Sequence, residues 1–325
     1  MGRIAVTGSS GLIGSALRSF LEQSGYETIG IDLRAVNRAE RVNILDTNAV
    51  SRLLASCDGI IHLAAVSRVV EAQRNPVACW RTNVEGTESL LKSIRRVTNR
   101  PWIIYGSSRE VYGPGDGAPV IESAPYDPIN VYARAKVAAE ELLQTWRLQG
   151  GQAVVLRFSN VYGAISDHAN RVIPAFVRAA MHGGVLRVEG ASNSFDFTHL
   201  RDVVRGISTV VEALEQGEMG MPPIHLTTGK STSLLKLASM AIGLGSTGAR
   251  VQMALPRSFD VHHFCGNPER ARQLLGWQAE VDLAAGLAEL ASDFARADVL
   301  SGNGTHRACS LPAAPWALVS AENYG

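Results

Sequence analysis

The sequence predicts an α/β fold: a doubly wound parallel sheet followed by a smaller C-terminal lobe. Three observations carry this expectation. Strand and helix patterns alternate through roughly the first 160 residues, the mark of helices crossing between parallel strands. The apolar run Ile4-Ala5-Val6 leads directly into Thr7-Gly8-Ser9-Ser10-Gly11-Leu12-Ile13-Gly14, a glycine turn between a strand and a helix. After Gly163 the alternation breaks, and prolines and glycines become denser.

The glycine turn fixes the character of the first element. A helix N-terminus offers unpaired N–H groups and a partial positive charge, which together form a phosphate site. Gly8 permits the tight turn, Gly11 lets backbone approach a pyrophosphate, and Gly14 lets the helix lie close on the strand. The spacing is G-x-x-G-x-x-G, and it predicts a Rossmann-type dinucleotide site. The helix spans about Leu12 to Ser24, with Leu12, Ala16, Phe20 and Leu21 on one side, and Gly25 ends it. A strand from Glu27 to Ile31 then delivers Asp32, 18 residues beyond Gly14. A carboxylate there holds the adenosine ribose 2′-OH and repels a 2′-phosphate, which favours NAD over NADP. Arg34 argues the other way, since it could swing toward a phosphate.

Gly59 to Ala65 reads as a buried strand entering a small-residue loop with room for a cofactor. A helical stretch follows from Pro76 to Val97, and then the strand Trp102-Ile103-Ile104-Tyr105, which ends in Gly106-Ser107-Ser108-Arg109-Glu110-Val111-Tyr112-Gly113. Pro114 to Asn130 reads as loop, Val131 to Gln149 as helix and Ala153 to Phe158 as strand. Residues 1–163 are expected to form the NAD-binding domain, with 203–228 returning to it. Residues 164–202 and 229–297 form the expected substrate lobe. From Asp298 to Gly325 there is no periodicity, so 298–325 reads as a flexible tail, with an interaction peptide around Trp316 as the alternative.

Composition narrows the partners. A net charge of +1 with 19% charged residues gives no footprint for nucleic acid or an anionic membrane. Cys57, Cys79, Cys265 and Cys309 are scattered without metal spacing, and read as reduced thiols of a cytoplasmic protein; no metal is expected. No apolar run reaches the length of about 18 residues that marks a membrane helix. A strand begins within the first few residues, which leaves no room for a signal peptide.

The chemistry is expected from a second signal, about 120 residues after the glycine turn. Tyr132 and Lys136 are four apart on a helix and share a face. A lysine ammonium and a positive nicotinamide ring would both favour the phenolate, making Tyr132 a base for a sugar hydroxyl. Lys136 can also hold the nicotinamide ribose. Ser107 and Ser108 end a parallel strand, on the sheet edge where ligands bind, and Ser108 could donate to the reacting oxygen. Glu110, two residues on, is either an acid/base or a solvated loop residue.

Together these residues resemble the extended short-chain dehydrogenase/reductase family, in its NAD-dependent nucleotide-sugar epimerase/dehydratase branch, and within it the UDP-glucose 4-epimerase-like members. The resemblance spans about residues 3–290. It adds His62-Leu63-Ala64-Ala65, Asn83 before Gly86-Thr87, Arg157-Phe158-Ser159-Asn160, Asp196-Phe197-Thr198-His199 with Asp202, and Leu275-Gly276-Trp277. It implies cofactor contacts at Gly8, Gly11, Ile13, Gly14, Asp32, Asn43, Ile44, Leu63, Ala64, Ala65, Asn83 and Lys136. It also implies catalysis by Ser108, Tyr132 and Lys136, and substrate contacts at Ser108, Asn160 and Arg257, the last as a clamp on the diphosphate. The implied reaction is C4 epimerisation of a nucleotide-diphosphate sugar through a transient 4-keto sugar. A 4,6-dehydratase, a uronate decarboxylase, a keto reductase and a non-catalytic NAD-binding protein are the alternatives. A homodimer joined through the Pro76–Val97 and Val131–Gln149 helices is implied as well.

The chain departs from the family pattern at three places. Arg109-Glu110 stands where the dehydratases carry Asp-Glu and the uronate decarboxylases Ser-Glu. Phe195 occupies the position of a diphosphate-binding arginine, with Arg171 and Arg187 as candidate replacements. Asn43-Ile44 stands where an aspartate often touches adenine.

Overall fold

Parallel strands and crossover helices alternate from the first strand onward. The computed structural model describes residues 2–115, 117–245 and 248–301. It begins with β1 (Arg3–Thr7), α1 (Leu12–Gln23), β2 (Glu27–Ile31), α2 (Thr47–Leu54), β3 (Gly59–His62), α3 (Val69–Arg74) and α4 (Pro76–Trp80). A π-helical turn, Arg81–Glu85, joins α4 to α5 (Gly86–Ile94). Next come β4 (Trp102–Ser108), a 3-10 turn at Arg109–Tyr112, α6 (Val131–Leu148), β5 (Ala153–Phe158) and β6 (Asn160–Tyr162). The second half holds α7 (Val172–Met181), β7 (Val185–Glu189), β8 (Ser194–His199), α8 (Leu200–Glu215), β9 (Ile224–Leu226) and β10 (Ser231–Ser233). It closes with α9 (Leu234–Leu244), β11 (Arg250–Ala254), β12 (His263–Phe264), α10 (Glu269–Leu275) and α11 (Leu283–Leu300).

The central sheet has the order β2-β1-β3-β4-β5-β9, and every neighbouring pair is parallel. Side chains alternate across it. Ile4 and Val6 of β1 pack with Leu17 and Leu21 of α1 and with Val203, Ile207 and Val210 of α8. Ala5 and Ile60 face the other way, onto Val50 and Leu54 of α2, Leu90 and Ile94 of α5 and Leu143 of α6. Coverage on both faces explains why the strands read as unbroken apolar runs. The chain leaves β1 for β2 on one side and returns to β3 on the other, so a crevice opens at the C-terminal ends of β1 and β3.

The remaining strands form a second body with its own core. β8 pairs with β10, β12 and β6, and β7 pairs with β11. Phe176, Leu186, Phe195, Phe197, Leu237 and Phe294 fill that core. Asp196 and Asp202, from the matched motifs, do structural work here. Asp196 accepts hydrogen bonds from the Thr228 and Gly229 amides at 2.9 and 2.8 Å. Asp202 accepts from the Val281 amide at 2.9 Å, while the Trp277 indole donates to its carbonyl at 3.0 Å.

Several elements differ from the sequence reading. The inner face of α1 is Gly14, Leu17 and Leu21, and Phe20 is exposed. The stretch expected as one helix from Pro76 to Val97 is interrupted by the π turn and ends at Ile94. α8 begins at Leu200, three residues before the expected return at 203. α11 continues through Leu300, so the chain does not become a tail at Asp298. Its N-cap Asp282 accepts from the Ala284 amide at 2.9 Å, and Leu287, Leu290 and Phe294 are buried. The rest of the expected tail, with Cys309 and Trp316, lies outside the described residues. Among the described residues, no helix is long and apolar enough to cross a membrane.

Candidate active site

A cleft of about 3550 Å³ runs from the glycine turn across the ends of β1, β3, β4 and β5 to the second body. It exceeds the 300–1,000 Å³ or so of a pocket for one small ligand, which leaves room for more than one. Gly8, Gly11, Ile13, Gly14, Asp32, Asn43, Ile44, Leu63, Ala64, Ala65, Ser108, Glu110, Tyr132, Lys136, Asn160 and Arg257 all line it.

At the first end the backbone itself is the cradle. Gly8 has φ +69°, and a Cβ there would lie 2.7 Å from the Ala64 amide nitrogen. A Cβ on Gly14 would lie 2.2 Å from the Gly8 carbonyl oxygen. Both positions therefore demand glycine. Gly11 caps α1 with no side chain, so nothing from the cap covers the first-turn amides. Asp32 stands beside this turn and accepts from the Ser10 amide at 3.0 Å and the Arg34 amide at 2.8 Å. The Arg34 guanidinium leans back onto Asp32, with Nε at 3.8 Å, and is otherwise largely exposed. Open helix amides for a pyrophosphate and a fixed carboxylate for a ribose diol fit a dinucleotide.

Behind the cradle lies a relay that sequence reasoning missed. Thr7 Oγ1 accepts from the Leu63 and Ala64 amides, each at 3.1 Å. Its own proton therefore goes to His62 Nδ1, 2.7 Å away. Thr87 donates to the Asn83 carbonyl at 2.7 Å, so it accepts from His62 Nε2–H at 3.0 Å. These partners assign His62 as the neutral Nε2–H tautomer. Burial agrees, pushing its pKa down to about 3, with the Lys136 charge acting in the same direction.

The resemblance implies that Asn83 touches the cofactor, but it lies in the π turn, is buried, and bonds its amide to loop backbone. Oδ1 accepts from the Val66 amide at 2.8 Å, and Nδ2 donates to the Val66 carbonyl at 3.1 Å. It shapes the loop after β3 from behind.

The residues expected to do chemistry meet at the end of β4. Asn130 caps α6 and accepts from the Ala133 amide at 2.8 Å, which sets Tyr132 in the first turn. The Ser108 hydroxyl accepts from the Glu110 amide at 3.2 Å and lies close enough to the Tyr132 phenol to favour its ionised form. Lys136 Nζ donates to the Gly106 carbonyl at 2.7 Å and lies 5.9 Å from the Tyr132 ring centroid. The expected depression of the phenol is not present in the protein alone. Burial pushes Tyr132 up to about 12; the Ser108 hydroxyl pulls it down, and the Glu110 charge pushes it further up. Burial also lowers the Lys136 ammonium to about 8, opposed by Glu140 one turn along α6.

Glu110 is neither solvated nor free. Oε1 pairs with Arg109 Nη2 at 2.9 Å, and Oε2 accepts from Asn130 Nδ2 at 2.8 Å. Asn160, on β6, lines the cleft beyond Ser108. Arg257 sits on the rim with its side chain 43% exposed; its Nε donates to Asp260 at 2.8 Å and lies 3.5 Å from Glu189. It is therefore less committed to the cleft interior than the sequence suggested. Asn43 accepts from the Leu45 amide at 3.0 Å, which shapes its own turn.

Beneath the site lies a second feature legible only in three dimensions. Arg157 of β5 is 2% exposed and engages Glu140, Tyr112, Tyr126 and the Glu122 carbonyl. Ser107 also donates to Glu140. The network locks α6 to β4 and β5 and so fixes Tyr132 and Lys136 relative to Ser108. The one sequence signal was a charge inside a buried strand.

Comparison with known proteins places the chain among relatives of one family. The model of the NAD dependent epimerase/dehydratase family matches residues 4–221. A dTDP-glucose 4,6-dehydratase of Mycobacterium tuberculosis is 31% identical over 258 residues, covering 73% of this chain and 76% of the relative. A UDP-glucose 4-epimerase of Mycolicibacterium smegmatis is 29% identical over 312 residues, covering 90% of this chain and 98% of the relative. Among solved structures, MoeE5 in complex with UDP-glucuronic acid and NAD aligns with a TM-score of 0.83 at 27% identity, covering 91% of this chain and 100% of that one.

Proposed function

The chain belongs to the NAD-dependent epimerase/dehydratase family, and on that premise we propose that it epimerises a nucleotide-diphosphate sugar at C4. NAD, when bound, supplies the hydride acceptor and donor. The glycine turn and the α1 amides hold its pyrophosphate, and Asp32 holds the adenosine ribose and selects NAD over NADP. Ser108 and Tyr132 grip the sugar O4, and Tyr132 takes and returns the proton there. Lys136, anchored on the Gly106 carbonyl, holds the nicotinamide ribose and keeps positive charge beside the phenol.

The observation that carries the choice of epimerisation is the Arg109–Glu110 pair. Expelling a sugar hydroxyl needs an acid at the place where Arg109 stands, and a guanidinium does not give up its proton at physiological pH. Glu110, the nearest carboxylate, has both oxygens engaged. Epimerisation needs no further acid, because the O4 proton is handled by Ser108 and Tyr132.

The same reading divides the chain into an NAD-binding part, residues 1–163 with 203–228, and a substrate part, 164–202 with 229–297. It also carries a cytoplasmic homodimer. In support, Cys57, Cys79 and Cys265 are free, buried thiols, and Val77 and Trp80 of α4 are exposed apolar side chains. The test is incubation of the purified protein and NAD with UDP-, dTDP-, GDP- and CDP-sugars, with products read by NMR. A C4 epimer is expected. A 4-keto-6-deoxy sugar or a pentose as the product would overturn epimerisation in favour of dehydration or decarboxylation.

A further inference from the structure

Among the described residues, two deeply buried arginines differ in one respect. Arg157 has partners at Nε, Nη1 and Nη2, as expected of a structural guanidinium. Arg109 is 7% exposed and lines the cleft, yet only Nη2 is engaged, by Glu110. Its Nε and Nη1 are buried without a hydrogen-bond partner. Leaving such donors buried and unpaired is costly unless something else satisfies them.

The surroundings hold this guanidinium in place. Its Cζ lies 4.4 Å from the centroid of the Phe195 ring and 5.9 Å from that of Phe264, a cation–π bed. Glu110 fixes one side and is itself tied to Asn130, the N-cap of the helix that carries Tyr132. Arg109 also directly follows Ser108 in the chain. The pair with Glu110 cancels the charge within the protein, and the two free nitrogens remain to receive a further anion.

We propose that Arg109 is the anion-binding residue of the substrate site, and that it receives an anionic oxygen of the nucleotide sugar, carried on the diphosphate or on a sugar carboxylate. This rests on the nucleotide-sugar reading above. The arginine at 109 and the phenylalanine at 195 are then one device: Phe195 supports a guanidinium delivered from the end of β4 instead of from β8.

The test is calorimetry on the NAD-loaded full chain with UDP, dTDP, GDP, CDP, UDP-glucose and UDP-glucuronic acid. Arg109→Gln should weaken binding by about 10- to 150-fold, the range for losing charge-assisted hydrogen bonds, with NAD affinity unchanged. A loss shared by nucleoside diphosphates and their sugars assigns the anion to the diphosphate. A loss confined to UDP-glucuronic acid assigns it to the carboxylate. Arg109→Gln combined with Phe195→Arg should restore binding, because the new guanidinium then comes from the β8 position whose ring lies against Arg109 in the wild type. If Glu110 left alone unfolds the single variant, Arg109→Gln/Glu110→Gln removes the stranded charge and takes its place. Unchanged affinity for every probe that the wild type binds would overturn the assignment. A wild type that binds none of them would instead overturn the nucleotide-sugar reading itself.

Discussion

Tyr132 is a weaker base in the protein alone than its spacing to Lys136 suggests. Burial raises its phenol to about 12, and the ammonium 5.9 Å from its ring does not offset this. At neutral pH it is therefore a proton donor that needs nearby positive charge before it can accept one. Titration of the phenol by ultraviolet difference spectroscopy should show an apparent pKa that falls when NAD is added. Tyr132→Phe should lose about 99% or more of turnover, the scale of a lost acid–base group, with NAD binding retained. Near-normal turnover in that variant would remove Tyr132 from the chemistry. At this scale Tyr132, Lys136, Asp32 and the glycines are legible in the sequence, since one helical turn or one tight loop sets their geometry. Arg109 and Phe195 are not legible as partners, because β4 and β8 belong to different sheets and only the fold brings them within 4.4 Å.

At the scale of elements, the least legible feature is the π turn between α4 and α5. Apolar periodicity reads straight through Pro76–Val97, and nothing local marks the extra residue that turns Asn83 toward the loop after β3. Buried His62 ties that loop to β1 and α5 through Thr7 and Thr87. Its folded pKa of about 3 lies below the usual value of 6.5. Between these values the unfolded chain binds a proton that the folded chain refuses. The stability His62 contributes is complete above pH 6.5 and is lost as pH falls toward 3. Urea denaturation of wild type and His62→Asn between pH 7 and 5 checks this. The variant should lose less stability on acidification, by up to about 1.4 kcal/mol per pH unit. Parallel pH profiles would mean that His62 takes up a proton in the fold.

For the whole molecule, the parallel sheet and the change of rhythm near Gly163 are legible because repeated crossover units impose a regular spacing of apolar runs. The ends of α8 and α11 are not. α8 starts before the apolar run at Val203, with His199 as its N-cap, and α11 runs past its last buried residue, Phe294, to Leu300. What the whole assembly accomplishes is to bring the glycine cradle, the Ser108–Tyr132 pair and a buried cation into one cleft. In the proposed reaction a hydride leaves the sugar C4 and returns to the same carbon within this cleft. The most direct measurement follows a nucleotide sugar deuterated at C4, with the substrate and its C4 epimer analysed by NMR in ordinary water. The product is expected to keep its deuterium at C4. Replacement of that deuterium by solvent hydrogen, in an epimer formed at the normal rate, would contradict the proposed reaction.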